Sequence, residues 1–244
     1  MQDGDHRAKL LRALEYRRSF DARLERMDRE TPFDRVHGVD TGTPVELWEL
    51  PEADLMPIGR NARYAPAPVR TVRNVLASCG LVHEEVTFVD VGCGKGRVLL
   101  LAAEFPFRRI VGVEASETLC DIARDNVHTM SHVHGGYDRI EVVNADAAQF
   151  DVPGDAGFFF FYEPFSAEVS STVLERIESS IRQCPRDVLL CFTGRGQPED
   201  EDGEAQSRPV AAAAAEARAG WRAAGTVASP DAKFYDSFLF EYLG

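Results

Sequence analysis

Apolar and polar positions follow two different periods along the chain, and each period predicts a different kind of element. Over residues 6–30 the apolar side chains recur at steps of three and four, which predicts an amphipathic helix. Residues 31–65 hold four prolines and three glycines and show no sustained period, so we predict a long irregular connection there. The pattern becomes helical again at Pro68, and Gly80 is expected to close that helix.

Beyond residue 85, short apolar runs alternate with helical patterns. Strands are predicted at 86–91, 109–114, 139–145, 156–162 and 187–192. The unbroken apolar run at 156–162 indicates a strand that is buried on both faces. Residues 221–243 are predicted to form two strands joined by a turn near Pro230. This order predicts an α/β fold with a parallel, doubly wound sheet that ends in an antiparallel hairpin.

The overall charge narrows the range of partners. With 27 Lys and Arg against 40 Asp and Glu, the 244-residue chain has a formal net charge of −13. Such a chain repels polyanions, so we expect no nucleic acid and no anionic membrane surface among its partners. The N-terminus is polar, there is no 18-residue apolar run, and the five cysteines form no CxxC pair. These features predict a cytoplasmic protein with reduced thiols.

Three glycines stand where the first strand of the predicted sheet passes into a helix. The segment is Asp90-Val-Gly92-Cys93-Gly94-Lys-Gly96. Glycine allows a positive φ or a close backbone approach, so three in five residues indicate a ligand site. Cys93 is expected to be a small filler rather than a nucleophile. The spacing does not fit the G-x-x-x-x-G-K-[ST] loop, and it fits the dinucleotide pattern G-x-G-x-x-G only with a mismatch at Val98.

The same turn resembles motif I of the class I methyltransferases that use S-adenosylmethionine (SAM), D/E-x-G-x-G-x-G, which is intact here. The resemblance implies SAM as the cofactor and a Rossmann-like, seven-stranded sheet with a terminal antiparallel hairpin. It also implies that Asp90 holds the ammonium group of SAM. The methionine part of SAM would lie against the backbone of Gly92, Cys93, Gly94 and Gly96.

Two further acids follow the next strands of the predicted sheet. Glu114 ends the second strand, 22 residues after Gly92, where a carboxylate can accept both ribose hydroxyls of SAM or of NAD. The class I resemblance assigns Asp146, after the third strand, to the adenine amino group, and we include Ala147 beside it as cofactor-binding. Taken singly, Glu114 could equally be a strand-end acid facing water, and Asp146 a turn or helix-cap residue.

The fourth strand ends in Phe161-Tyr162-Glu163-Pro164-Phe165, a position that faces the transferable methyl group in class I enzymes. Residues 33–194 are similar to a group of uncharacterised bacterial methyltransferases, which are distantly similar to the non-SET (disruptor-of-telomeric-silencing type) histone-lysine methyltransferases. The matching segments are FDRVHGVDTG, YAPAP, FVDVGCGKGRVLLLAAEF, RIVGVEAS and FFFFYEPF. That group commonly has Asn-Pro-Phe where this chain has Glu163-Pro164-Phe165.

Glu163 and Tyr162 are therefore the candidate catalytic residues. A carboxylate beside the nucleophile favours an amine, which becomes cationic as it is methylated, and it can accept a proton from an amine or a hydroxyl. It repels a carboxylate acceptor, so we expect methylation at nitrogen or hydroxyl of a small molecule or peptide. Glu163 could instead be a first-turn helix acid. Tyr162, with Phe165, could be an aromatic wall or simple core.

The resemblance further implies that the segment GVDTG and Tyr64 fold over the cofactor, with Thr41 and Asp40 as candidate contacts. We therefore divide the chain into an N-terminal helical cap and cofactor-covering segment, 1–65, and a class I methyltransferase domain, 66–244. Direct methyl transfer needs no metal, and none is expected.

Two other functions stay open at the level of sequence. The chain could be a non-catalytic SAM-binding regulatory or partner subunit or, with less support, a NAD-dependent oxidoreductase. The alanine-rich run VAAAAAEARAG would be either an interface helix of a homodimer or a covering helix. The acidic run at 198–207 would be either a solvated loop or a lid that recruits a cationic substrate.

Overall fold

The computed structural model describes residues 18–19, 21–52, 63–162, 165–194, 209–231 and 235–244. Glu163, the acidic run 198–207 and residues 6–17 of the predicted N-terminal helix lie outside the described residues. The described helices are α1 (21–30), α2 (Phe33–His37), α3 (Val69–Ser78), α4 (Arg97–Ala102), α5 (Glu117–Val133), α6 (Ala167–Gln183) and α7 (Val210–Glu216). Short 3-10 turns occur at Leu47–Glu49, His83–Glu85 and Tyr137–Arg139.

Nine strands are described, and seven of them form one sheet. The strands are β1 (Val45–Glu46), β2 (Arg63–Tyr64), β3 (Thr87–Val91), β4 (Arg109–Glu114), β5 (Ile140–Asn144), β6 (Ala156–Tyr162), β7 (Leu189–Thr193), β8 (Trp221–Val227) and β9 (Ser237–Tyr242). The large sheet has the order β5-β4-β3-β6-β7-β9-β8. Its first five strands are parallel, and β9 runs antiparallel between β7 and β8. The predicted α/β sheet with a terminal antiparallel hairpin is confirmed.

The chain reverses its direction of travel across the sheet at β3. From β3 it moves outward to β4 and β5, and it then returns to the other side of β3 to form β6 and β7. In an open α/β sheet, a crevice opens beyond the carboxyl ends of the strands at such a switch point, and ligands bind there. The glycine turn follows β3 directly, so the topology places it at this crevice.

The sheet is covered on both faces, and β6 shows this most clearly. Phe158 and Phe160 pack in the core that includes Val72 and Leu99 of α3 and α4. Phe159 and Phe161 point to the opposite face, into the core formed with α6 and α7. All four rings are at most 2% exposed. The prediction of a strand buried on both faces is confirmed.

Two segments differ in detail from the expectation. The connection predicted as irregular contains α2 and a two-stranded antiparallel ladder, in which Val45 pairs with Tyr64. The helix expected at 95–105 is shorter and covers Arg97–Ala102, because Gly94 and Gly96 have positive φ and the helix begins only after them.

The alanine-rich run behaves as a covering helix of its own chain. Ala211, Ala212 and Ala215 of α7 are buried in the core shared with α6. The homodimer and the division of the chain at residue 65 stay predictions. Among the described residues, no helix is long and apolar enough to cross a bilayer.

Candidate functional site

The glycine turn has the backbone geometry that only glycine adopts readily. Gly92, Gly94 and Gly96 have φ values of 83°, 51° and 81°, all in the left-handed region. The turn is fastened to β4, since the N–H groups of Gly92 and Cys93 both donate to the carbonyl of Val113, at 2.8 and 3.0 Å. Positive φ, one of the two uses of glycine weighed from the sequence, is therefore present at all three glycines.

A cleft opens beside this turn at the carboxyl ends of β3, β4 and β6. Six of the residues predicted from the sequence line it: Tyr64, Asp90, Gly92, Cys93, Glu114 and Tyr162. The cavity volume is about 80 Å³, whereas small-molecule sites span roughly 300–1,000 Å³. A ligand of cofactor size therefore requires some lining side chain to give way.

The ring of Tyr64 occupies the approach to the turn. A Cβ placed on Gly94 would lie 2.2 Å from Cε2 of this ring, so the two groups are in close van der Waals contact. The Tyr64 hydroxyl donates to the carbonyl of Thr41 at 2.8 Å. Burial raises the pKa of Tyr64, so its hydroxyl stays protonated and remains a donor throughout the neutral range.

Asp90 and Glu114 give the cleft a negative floor. Asp90 is only 2% exposed, and its pKa is raised by burial and by the neighbouring charge of Glu114. The Glu114 carboxylate accepts from the N–H groups of Gly94 at 3.0 Å and Ser116 at 2.9 Å. A cationic group bound here would relieve the repulsion between the two carboxylates, so the arrangement suits a ligand that carries an ammonium.

Cys93 lines the same cleft but has no nucleophilic character. It is buried, and burial followed by the charges of Asp90 and Glu114 raises its pKa well above the ordinary value. A thiol that stays protonated is a poor nucleophile. Its Sγ would lie 2.8 Å from a Cβ placed on Gly112, which fits the predicted role of a small filler.

Thr41 is placed behind the cleft wall rather than on its surface. It is fully buried, and its hydroxyl accepts from Nε of Arg97 at 2.7 Å and donates to Asp34 at 2.5 Å. Asp40, beside it, is bound through both carboxylate oxygens by Nζ of Lys95, at 3.0 and 2.9 Å. The two residues therefore connect the N-terminal segment to the glycine turn.

Asn126 of α5 also binds the backbone on both sides of this contact, at Asp40 and at Lys95. Its side chain accepts from the N–H of Asp40 at 2.8 Å and donates to the carbonyls of Asp40 and Lys95. Sequence reasoning missed Asp34, Lys95, Arg97 and Asn126. A signal was present, because Lys95 and Arg97 stand directly before the apolar run of a core helix, and a charged residue there must find a partner when it is buried.

The N-terminal segment also caps a second helix. Glu52 accepts from the hydroxyls of Ser116 and Thr118 and from the N–H of Thr118, at 2.6 to 3.0 Å, at the start of α5. Burial alone would raise the pKa of Glu52, but these hydrogen bonds outweigh it and lower the pKa below the ordinary value. The segment is thus held at the N-terminal ends of both α4 and α5.

Asp146 and Ala147 follow β5 in a tight turn. The Asp146 carboxylate accepts from the N–H of Ala148 at 2.8 Å, and its carbonyl accepts from Gln149. This is the turn geometry weighed from the sequence. Ala147 is buried beneath it, and neither residue belongs to the described lining of the cleft.

A second cavity of about 520 Å³ adjoins the cleft. The two share Arg63 and Arg97 in their walls. The second cavity is bounded by α1, by the loop around Gly42 and by the start of α3. Its volume lies within the range of small-molecule sites.

Comparisons with known proteins agree with the fold and the turn. Residues 88–183 match the family model described as a methyltransferase domain. A protein-lysine N-methyltransferase from Saccharolobus islandicus (strain REY15A) is 30% identical over 89 residues, which are 34% of this chain and 55% of that protein. The chain therefore spans about half the length of this curated relative.

Solved structures show the same architecture at low identity. A SAM-dependent methyltransferase from Aquifex aeolicus superimposes with a TM-score of 0.52 at 18% identity, over 72% of this chain and 91% of that chain. The pyocyanin biosynthetic protein PhzM superimposes with a TM-score of 0.52 at 16% identity, over 81% of this chain and 60% of that chain.

The strand order and the glycine turn are those of the class I methyltransferase fold. Within it, residues 88–183 match the model of a methyltransferase domain. The acidic, glycine-rich cleft suits SAM, the cofactor that the sequence predicts, because the negative floor formed by Asp90 and Glu114 can hold its ammonium group.

Proposed function

We propose that this chain transfers the methyl group of SAM to a nitrogen or a hydroxyl oxygen of a small-molecule or peptide acceptor. The observation that carries the proposal is the acidic floor of the cleft beside the glycine turn. There, Glu114 is fixed by the N–H groups of Gly94 and Ser116, and Asp90 is buried next to it.

Each residue of the cleft has a defined task in this proposal. Asp90 binds the ammonium group of the cofactor, and Glu114 accepts its ribose hydroxyls. Bound SAM supplies a methyl group on a sulfonium, which an acceptor attacks in line. The protein contributes a cleft largely shielded from water, and it orients the reactants. Holding two reactants in line removes much of the entropic barrier.

The acceptor is proposed to lie against the end of β6. Tyr162 ends this strand and lines the cleft, and Glu163 follows it in the sequence. A carboxylate at this point favours an acceptor that gains positive charge and can take up the proton that an amine or hydroxyl loses. The name of the Saccharolobus relative, a protein-lysine N-methyltransferase, supports nitrogen as the acceptor atom.

The second cavity and the net charge both bear on the size and type of the acceptor. The second cavity shares Arg63 and Arg97 with the cleft, and we propose it as the acceptor's entry. It has room for a small molecule or for one side chain of a peptide. A net charge of −13 does not favour a nucleic acid.

The test is formation of S-adenosylhomocysteine from SAM with pools of primary amines, phenols, carboxylic acids and lysine peptides. We expect turnover with amines or hydroxyl compounds, and a loss of about 100-fold in Glu163→Gln, the scale of general acid–base catalysis. Glu168→Gln is the matched control, because Glu168 is an exposed first-turn acid of α6, and it should keep full activity.

Two outcomes would contradict this proposal. Methylation confined to carboxylic acids would contradict the assigned acceptor. Tight binding of SAM without turnover in any pool would favour the non-catalytic SAM-binding alternative.

A further inference from the structure

Asp34, in the first turn of α2, holds an unusually large share of the contacts around the cleft. One carboxylate oxygen accepts from the N–H groups of Thr41 and Gly42, at 2.6 and 2.5 Å. The other accepts from the hydroxyl of Thr41 at 2.5 Å and from Nη2 of Arg97 at 3.2 Å. Four donors from two separate segments thus converge on a single side chain.

Arg97 supplies the opposite end of this contact. It is the first residue of α4, directly after the glycine turn, and its side chain is 7% exposed. Its Nε donates to the Thr41 hydroxyl at 2.7 Å, and its guanidinium lies 5.9 Å from the ring centre of Phe33. Asp34 is the nearer of two acids at Nη2, since Asp28 lies 4.0 Å away. Removing the nearer partner of a buried guanidinium leaves its charge poorly compensated.

The contacts continue from Asp34 to the cleft and return to the turn. Asp34 holds Thr41, and the carbonyl of Thr41 accepts a hydrogen bond from the Tyr64 hydroxyl at 2.8 Å. The ring of Tyr64 then lies against Gly94, two residues before Gly96, where α4 is capped. The contacts therefore form a ring, Arg97–Asp34–Thr41–Tyr64–Gly94, whose two ends, Gly94 and Arg97, are joined by the backbone of the glycine turn.

We propose that Asp34 and Arg97 are positioning residues for the cofactor cleft, which fix the Thr41 carbonyl and through it the place of Tyr64 over the glycine turn. The proposal rests on the proposed function, because it assigns a role at the same SAM site. Neither residue acts on the reacting atoms. The Tyr64 ring has to shift for the methionine part of SAM to reach Gly94, and the contact with Thr41 returns it over the bound cofactor, so losing that contact weakens binding.

The proposal predicts that Asp34 acts on ligand binding through Tyr64. In Asp34→Asn the shape is kept, but one oxygen acceptor and the charge that pairs Arg97 are lost. We expect the dissociation constant for S-adenosylhomocysteine to rise by about tenfold, the scale of losing one charge-assisted hydrogen bond. Tyr64→Phe, which loses only the bond to Thr41, should weaken binding in the same direction.

The double variant Asp34→Asn/Tyr64→Phe separates this route from a general loss of stability. If Asp34 acts through Tyr64, the double variant should bind no more than about twofold more weakly than Asp34→Asn alone. Additive losses would overturn the route through Tyr64, and unchanged binding in Asp34→Asn would overturn the positioning role.

Glu178→Gln is the matched control. Glu178 is also an acid that binds an arginine, Arg218, and it accepts from the indole of Trp221, away from the cleft. It should lower the melting temperature and leave S-adenosylhomocysteine binding within about twofold of the wild type. If it weakens binding as much as Asp34→Asn does, the effect of Asp34 is one of stability.

Hydrogen exchange without any ligand gives a second readout. Asp34→Asn, but not Glu178→Gln, should speed amide exchange in peptides covering 39–42 and 63–67, because the contacts that hold both segments are lost. If the wild type fails to bind S-adenosylhomocysteine while this exchange effect is present, the proposed function fails and the contact path stands. Unchanged exchange in Asp34→Asn would overturn the path itself.

Discussion

The ring of Tyr64 lies against Gly94 so closely that a Cβ on that glycine would sit 2.2 Å from Cε2 and 2.4 Å from Cδ2 of the ring. Three glycines at the turn indicate a close approach of something to the backbone. At Gly94 that approach is made by the protein's own covering segment. The cofactor site is therefore shaped jointly by motif I and by a tyrosine 30 residues before it.

Gly94→Ala should abolish or severely weaken binding of S-adenosylhomocysteine. The methyl group would collide with Tyr64, and an alanine at a φ of +51° costs about 1–2 kcal/mol on its own. We expect a loss of more than about tenfold in affinity, measured by calorimetry.

Gly80→Ala is the control for backbone strain. Gly80 has a similar φ of +71°, but a Cβ there would meet no atom within 4 Å. This variant should be destabilised by about 1 kcal/mol and bind normally. Normal binding in Gly94→Ala would show that the contact with Tyr64 does not shape the site.

Binding of S-adenosylhomocysteine should strengthen as the pH rises through the range in which Asp90 of the free protein loses its proton. Burial and Glu114 raise the pKa of Asp90 in the free protein, and a bound ammonium would lower it again by stabilising the carboxylate. Binding therefore releases a proton. The affinity rises with pH and levels off once the pH exceeds the raised pKa of Asp90 in the free protein. Calorimetry in buffers of different ionisation enthalpy measures this release.

Asp90→Asn tests whether Asp90 is the group concerned. The variant should bind S-adenosylhomocysteine more weakly and release fewer protons to the buffer on binding. Equal proton release by the wild type and Asp90→Asn would assign the pH dependence to another group.

Glu114→Gln should weaken S-adenosylhomocysteine by about 10- to 100-fold. The amide keeps the size of the side chain but replaces one of the two oxygens that accept from Gly94 and Ser116, and it loses the charge that strengthens bonds to hydroxyl donors. Glu141→Gln is a suitable control, because Glu141 pairs with Arg109 on the exposed surface of the sheet edge. An affinity within about twofold of the wild type in Glu114→Gln would contradict the assignment of the ribose to this residue.

Thiol reactivity should separate Cys184 from the other cysteines. Cys184 is exposed, whereas Cys93, Cys120 and Cys191 are buried. Cys79 is half-buried, and burial raises its pKa. Burial raises the pKa of Cys120 to about 11 and that of Cys191 to about 12. At pH 8 the native protein should therefore show a single fast thiol towards a disulfide reagent, and all five cysteines should react after denaturation.

Cys184→Ser should remove the fast phase. Its persistence would mean that Cys79, at the end of α3, or one of the three buried cysteines reacts fast, which would contradict the prediction of a single fast thiol.

The sheet and the acids at its edge were predictable because strand ends have a regular geometry. Residues that end neighbouring parallel strands meet at one edge. The sequence therefore predicted that Asp90 and Glu114 lie close together, and the structure places both in the cleft. The unbroken apolar run at 156–162 likewise predicted that β6 is buried on both faces.

The contacts of Asp34 could not be predicted in this way. Asp34 and Arg97 are 63 residues apart, and the loop between α2 and β1 has no period that would fix its course. Such contacts depend on three-dimensional packing and not on local pattern. The ladder between β1 and β2, only two residues long in each strand, was missed for the same reason.

Whether the cleft binds an adenosyl cofactor is measured by calorimetric titration of the wild-type protein with S-adenosylhomocysteine, beside an identical titration with NADH. We expect micromolar binding of S-adenosylhomocysteine and none of NADH, since the dinucleotide pattern is mismatched at Val98 and the buried carboxylate of Asp90 beside the glycine turn would repel a pyrophosphate. Binding of NADH, or no binding of S-adenosylhomocysteine, would contradict this expectation.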